Sequence, residues 1–135
     1  MRYETTSAVV DRLLTEAAAA HPQECCGLLL GREGEVLEAR PARNVSPCSE
    51  RRFEIDPMAL IAAHKAARGG GMQIVGYYHS HPKGDADPSE TDAAMAAHDG
   101  ALWAIVSGTD IGWWRDGPSG FVPVSIAVRQ AGHPG

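Results

Sequence analysis

The chain lacks any stretch of about 18 consecutive apolar residues, so it offers no candidate membrane-spanning helix. Its first twenty residues carry Arg2, Glu4, Asp11, Arg12 and Glu16 where a signal peptide needs an unbroken apolar segment, and the expectation is a soluble, unexported protein. Cysteine is scarce: Cys25, Cys26 and Cys48 are odd in number, two are adjacent, and no C-x-x-C pair exists. That excludes a disulfide framework and a thiolate zinc site, and makes a reducing cytoplasm the expected compartment. Positive charge is also in short supply, with 12 Lys and Arg against 17 Asp and Glu and a formal charge of -5. This is the wrong sign for a protein that grips phosphate backbones by counterion release, so nucleic acid is not an expected partner.

What is present suits one globular unit. The 135 residues, 44% apolar and 21% charged, predict a single domain over 1–129 followed by a short tail at 130–135. Val9, Val10, Leu13, Leu14 and Ala17 form a stripe at helical spacing over Ser7–Ala20, with Thr6 or Ser7 as N-cap and Pro22 beyond the end. Cys26–Gly31 and Glu35 to about Val45 read as a strand hairpin, and Asp56-Pro57 opens a helix that runs to Arg68 and stops at three glycines. Gln73–His79 reads as a buried strand and Pro82–Pro88 as a loop. A third helix is expected from Ser89 to about His98, then strands at Ala101–Ser107, Ile111–Arg115 and Phe121–Arg129. Strands interleaved with three helices imply an α/β or α+β sandwich.

The chemistry gathers at one junction. His79 and His81 stand two apart, so at strand spacing their imidazoles leave the same face and can converge on one ion. Such a pair is also compatible with a core histidine followed by a loop histidine. Pro82 pushes His81 toward extended backbone, and Asp92 lies one turn into the helix that begins at Ser89, where its carboxylate can swing back over the strand end. Ser89-x-x-Asp92 equally suits a purely structural capping box. Two histidines and a carboxylate match catalytic zinc, which takes three protein ligands of this kind and leaves a fourth position open. Neutral imidazoles and one carboxylate leave about +1 at the site, enough to acidify water and polarise a carbonyl, as an amide hydrolase needs. A hydrolase of this kind also needs a carboxylate base outside the ligand set. Glu24, just ahead of the apolar strand at Cys26, is the candidate, though a solvated loop glutamate fits the same position.

Taken together, Glu24, His79-Ser80-His81 and, seven residues on, Ser89-x-x-Asp92 resemble the JAMM metalloprotease motif of the MPN family, and the match is complete at every position. Pro22-x-Glu24-x-Cys26-Gly27, Asn44-Val45-Ser46 and Phe53-x-Ile55-Asp56-Pro57 extend the resemblance from about Ser7 to Val128. It implies a fold related to cytidine deaminases, with a central mixed sheet flanked by helices. It also implies that His79, His81 and Asp92 bind one zinc per chain, that Glu24 positions and deprotonates water, and that Ser89 stabilises the oxyanion. The chain is too short for the insertions of ubiquitin-cutting members and is similar to the compact prokaryotic type. Those members process a ubiquitin-like or sulfur-carrier protein ending in Gly-Gly, for example by releasing cysteine from a carrier adduct. A Gly-Gly tail can thread a narrow groove because it has no side chains to exclude, and the groove is expected between Val45–Phe53 and Pro82–Asp87.

Three other readings stand beside this one: a non-catalytic MPN-type scaffold, a zinc hydrolase of a small amide, and a RadC-like relative linked to DNA, which the charge of -5 opposes. A deubiquitinase-like activity belongs with the small-amide reading as a change of substrate. Cys25 and Cys26 have no histidine beside them and read as packing. His21, His64, His98 and His133 have no partner at ligand spacing. The adjacent Trp113 and Trp114 leave room for one exposed indole and a homodimer contact.

Overall fold

A computed structural model describes residues 2–130; Met1, His133 and most of the expected tail lie outside the described residues. Eight strands form one mixed sheet: β1 (Tyr3–Thr6), β2 (Cys26–Arg32), β3 (Glu35–Ala42), β4 (Gln73–Ser80), β5 (Leu102–Ser107), β6 (Asp110–Gly117), β7 (Gly120–Pro123) and β8 (Ile126–Arg129). Their order is β7-β6-β5-β4-β2-β3-β1-β8, with β4–β5, β1–β3 and β1–β8 parallel and the remaining pairs antiparallel. Three helices accompany it: α1 (Ser7–Ala20), α2 (Pro57–Arg68) and α3 (Glu90–Met95). The α/β class expected from the interleaved pattern is the class observed. Among the described residues, no helix is long and apolar enough to cross a membrane.

β2 runs through the middle of the sheet, so it is apolar on both faces. Leu29 packs with α1 residues Val9 and Leu13, whereas Cys26, Leu28 and Leu30 face the side that carries α2. The same alternation on β4 sends Tyr78 toward α1 and Tyr77 and His79 toward the other face. Antiparallel pairing of β2 with β4 sets Cys26 opposite His79. The residues leading into β2 are thereby delivered to the end of β4, although more than fifty positions separate them in the chain.

Several boundaries differ from the sequence-based expectation, each for a physical reason. β3 ends at Ala42 rather than Val45, because Arg43 onward turns away and closes a loop through a bridge between Asn44 and Ile55. α3 stops at Met95 instead of reaching His98, which sits at φ 56° with its backbone N–H donating to Asp116 Oδ2 at 2.9 Å. That long-range bond replaces the next helical turn. The expected strand Phe121–Arg129 is two strands, the second crossing to the far edge to pair in parallel with β1. Trp113 and Trp114 are both half-buried, one on each face, so neither is the exposed indole that their adjacency left room for.

Candidate metal centre

The end of β4 carries the first two site residues, and the period of the strand puts their rings on one side. His79 is fully buried and His81 nearly so, with Nε2 atoms 3.1 Å apart. After Pro82 the chain crosses to α3, whose first turn brings in Asp92, 3% exposed. Asp92 Oδ1 lies 3.0 Å from His79 Nε2 and Oδ2 lies 3.0 Å from His81 Nε2. Ser89 Oγ accepts from the Asp92 N–H at 3.0 Å, and Asp92 Oδ2 accepts from the Ser89 N–H at 2.9 Å. The capping box is therefore formed, and it aims the carboxylate at the histidines: the structural and ligand readings of Ser89-x-x-Asp92 are one arrangement.

Two rings are fixed in different ways. His81 Nδ1 stands 2.6 Å from the Asp85 carbonyl oxygen, which can only accept, so Nδ1 carries the proton and the neutral ring presents a bare Nε2 to the cluster. His79 Nδ1 has no hydrogen-bond partner among the described residues. Its ring is held by stacking on Phe53, with centroids 4.3 Å apart, and by the edge of Trp103 at 5.6 Å. Four atoms face one another, His79 Nε2, His81 Nε2 and both Asp92 oxygens, and with His81 neutral they share at most one N–H, that of His79. Tetrahedral zinc with bonds of about 2.0–2.1 Å would separate its ligands by roughly 3.3 Å, close to the 3.1 Å between the two Nε2 atoms and the 3.0 Å from each to one Asp92 oxygen. The donor set and its geometry fit that ion.

Burial alone lowers both histidines. It prevails at His79, whose pKa is lowered despite the hydrogen bond to Asp92. At His81 the bonds to Asp92 and the Asp85 carbonyl, together with the nearby carboxylates, outweigh burial and raise the pKa. Burial also pushes Asp92 up, but the two histidine hydrogen bonds prevail and hold its carboxyl far below the usual range. Such a tightly ionised carboxylate beside two imidazoles is a cation-binding group.

Glu24 reaches the same cleft from the lead-in to β2. It is 6% exposed, and its Oε1 has no hydrogen-bond partner among the described residues. Burial is the main cause that pushes its pKa up to about 7, with His81 opposing and Asp92 adding to the rise. Glu24 is not among the three clustered ligand groups but lines a cleft of about 470 Å3 together with His81 and Ser89. Of the five residues picked out from the motif, Glu24, His81 and Ser89 line this cleft, and His81 also belongs to the buried cluster with His79 and Asp92.

Sequence reasoning did not assign the residues that hold this cleft in shape. Asn44 donates through Nδ2 to the Glu24 and Arg52 carbonyls and accepts at Oδ1 from the Ser46 and Glu54 N–H groups, at 3.0–3.1 Å. It ties the loop 43–55 to the Glu24 backbone. Ser80, between the histidines, accepts from the Cys25 N–H at 2.8 Å and locks the β2 lead-in to the end of β4. On the other wall, the Gly84 carbonyl accepts from Ser107 Oγ, Asp85 from His81 Nδ1 and Ala86 from Trp114 Nε1. The approach of β6 to this loop requires Gly112, where a Cβ would fall 2.2 Å from the Ala86 oxygen. The signal for Asn44 and Ser80 was visible only as polar residues next to buried strands, whereas the three carbonyl clamps are long-range.

Comparisons with known proteins place the chain in a family. Residues 6–116 match the family model of prokaryotic homologs of the JAB domain. A protein of Haloferax volcanii named desampylase is 37% identical over 67% of this chain and 67% of its own. A Thermus thermophilus protein named as a probable TtuB-protein conjugate cleaving protease is 42% identical over 64% of this chain and 62% of its own. The matched stretch thus spans about two thirds of these relatives. Among solved structures, a Desulfitobacterium hafniense protein superposes with a TM-score of 0.83, at 26% identity over 95% of this chain and 93% of that one.

Proposed function

The chain belongs to the prokaryotic JAB-domain family, of compact JAMM type, and from that premise we propose that it is a zinc-dependent metallopeptidase hydrolysing an amide bond at the C-terminal Gly-Gly of a ubiquitin-like or sulfur-carrier protein. The observation that carries this reading is the meeting of His79, His81 and Asp92 in one ligand cluster beside an unpartnered, buried Glu24. The names of the two relatives support a conjugate of a small carrier protein as the substrate class.

His79, His81 and Asp92 would hold the metal. Zinc, when bound, polarises the scissile carbonyl and acidifies water, so that attack proceeds near neutral pH. Glu24 takes the proton of the attacking water on Oε1, which no other group occupies. As the carbon–nitrogen bond breaks, it returns that proton to the departing amine. A pKa raised by burial suits a group that must both accept and donate within one cycle. Ser89 spends a lone pair on the α3 cap, which leaves its hydroxyl proton free to donate to the oxyanion. The Asp85 carbonyl keeps His81 in the tautomer that presents Nε2 to the metal.

The cleft suits a tail without side chains. The loop 43–55 contributes Glu50 and Arg51 to one wall and Pro82–Pro88 forms another, with the Gly84 to Ala86 carbonyls already engaged and the wall accordingly stiff. A Gly-Gly segment can lie between such walls where a bulkier one is refused.

The test is zinc loading followed by hydrolysis. Native mass spectrometry should find one zinc per chain, removed by chelation and restored on resupply. The loaded protein should cut a carrier amide directly after Gly-Gly, whether the leaving amine is a protein lysine or free cysteine, and the ratio of the two rates assigns the leaving group. A zinc-loaded protein that cuts neither overturns the reading.

A further inference from the structure

Phe53 braces His79 on one side and forms part of a second cavity, about 300 Å3, whose apolar walls include Leu60, Tyr77 and Trp103. Met95, at the end of the helix that carries Asp92, borders it. Three carboxylates, Glu54, Asp99 and Asp116, also belong to its wall, and no Lys, Arg or His does. Asp116 is the unusual one. It is 1% exposed, Oδ2 accepts from the His98 N–H, and Oδ1 accepts no hydrogen bond among the described residues. The nearest basic group, His98 Nδ1, is 3.5 Å from Oδ1 and 3.1 Å from the Gly117 carbonyl, which takes its proton when the ring is neutral. A buried carboxylate oxygen left short of a donor is costly unless something completes it.

We propose that this cavity receives an arginine or lysine side chain of the protein whose tail occupies the metal cleft; the proposal rests on the substrate reading above and adds a charge preference to it. The long methylene stem of such a side chain covers apolar wall, its cationic head finds the faces of Tyr77 and Trp103, and its N–H groups complete the carboxylates. A small metal ion would make no use of the aromatic walls, and an acidic side chain would meet three like charges. The cavity starts one ring from His79, with Phe53 shared between them at a centroid distance of 4.3 Å. Gly-Gly takes the two positions next to the scissile bond, so the occupant belongs to the first residues ahead of it that carry side chains, the third or the fourth.

Calorimetric titration of the zinc-loaded Glu24→Gln protein with acetylated tetrapeptide amides ending in Gly-Gly reads this directly. Arginine, norleucine or glutamate is placed at the first or the second position, with alanine at the other. At one of the two positions the arginine peptide should bind at least about tenfold tighter than norleucine, with glutamate weakest. The double charge reversal Glu54→Lys and Asp99→Lys, both exposed and neither a member of the ligand cluster, should abolish that order while zinc content and melting temperature stay those of the parent. Equal affinities for the three peptides, or no binding at millimolar concentration, overturn the proposal. The two readings fail separately: arginine selectivity in a protein that cleaves no carrier amide removes the substrate reading alone, whereas cleavage of carrier amides without selectivity removes this one alone.

Discussion

The face of the sheet under α1 and the face under α2 are covered unequally. α1 lays Val9 and Leu13 onto Leu29, Tyr78, Ala104 and Val106, and the buried hydroxyl of Thr5 on β1 is satisfied by the Val36 carbonyl at 3.0 Å. α2 fully buries Ala63 alone and leaves Met58 and Ile61 exposed; much of the space beneath is filled by Phe53, Trp103 and His79. The sealed face holds β2 and β4 together by apolar burial, and the thinly covered face uses that fixed register to assemble polar groups that could not pack under a full helix. Division of labour of this kind predicts that changes on the two sides separate stability from chemistry.

The largest effects should come from the open face. His79→Ala removes a ligand and should eliminate both bound zinc and turnover. Glu24→Gln keeps the shape of the side chain but cannot accept a proton, and should retain zinc while losing about 10²–10⁴-fold in kcat. Native mass spectrometry and single-turnover hydrolysis read the two properties separately. A Glu24→Gln protein with wild-type turnover would remove Glu24 from the mechanism.

On the sealed face the expected pattern is the reverse. Leu13→Ala leaves a cavity under α1 and should destabilise the fold by about 2–5 kcal/mol, read as a lower midpoint in denaturant at unchanged slope. Zinc stoichiometry and kcat per folded molecule should be those of the parent. Loss of zinc at temperatures where the protein remains folded would show that the two faces are mechanically coupled.

Ser89 lies at the seam between structure and chemistry, and its effect should be intermediate. Ser89→Ala removes the cap, at about 1 kcal/mol, and the hydroxyl proton. Together these should lower kcat by about tenfold to a hundredfold with little change in KM. Ser89→Asp restores an N-cap acceptor without a donor, so a variant with recovered melting temperature and unrecovered kcat assigns the loss to the proton. Recovery of both would leave Ser89 a capping residue only.

The parts of this arrangement that were legible in the chain are those written locally. His79, His81 and Asp92 sit within fourteen residues, and strand period, Pro82 and a helix start suffice to bring them together. Glu24 could be suggested from the need for a base and from a family resemblance, but its approach depends on the Cys26–His79 register, which no local pattern encodes. β1 was missed, and β8 misplaced in one long strand, because each is four residues long and they are stabilised by one another across almost the whole chain. The early end of α3 has the same origin: residues 96–98 have nothing against helix, and the carboxylate that claims the His98 N–H comes from β6. Asn44 fell inside the extended stretch expected to reach about Val45 and in a segment of the family resemblance, and it is a four-bond clamp on the loop beside Glu24.

The smallest effect, and the one that tests the electrostatics of the open face most directly, is the pH dependence. The base role proposed for Glu24 requires it ionised, and without a metal burial pushes its pKa up to about 7, with the Asp92 charge adding to the rise. A divalent cation held by His79, His81 and Asp92 would neutralise the Asp92 charge and favour the Glu24 carboxylate. Both influences act downward. The zinc-loaded protein should therefore show kcat/KM rising about tenfold per pH unit on the acid side, as protonation silences the base, and levelling at or before pH of about 7. Acid also releases metal by protonating the histidines, so zinc occupancy must be measured at each pH and the limb computed per loaded molecule. If the limb survives that correction and levels below about 7, burial and the cation oppose each other at Glu24 as described. If activity keeps rising above about pH 8, the group that titrates is not a carboxylate facing a cation, and the open face does its chemistry with another base.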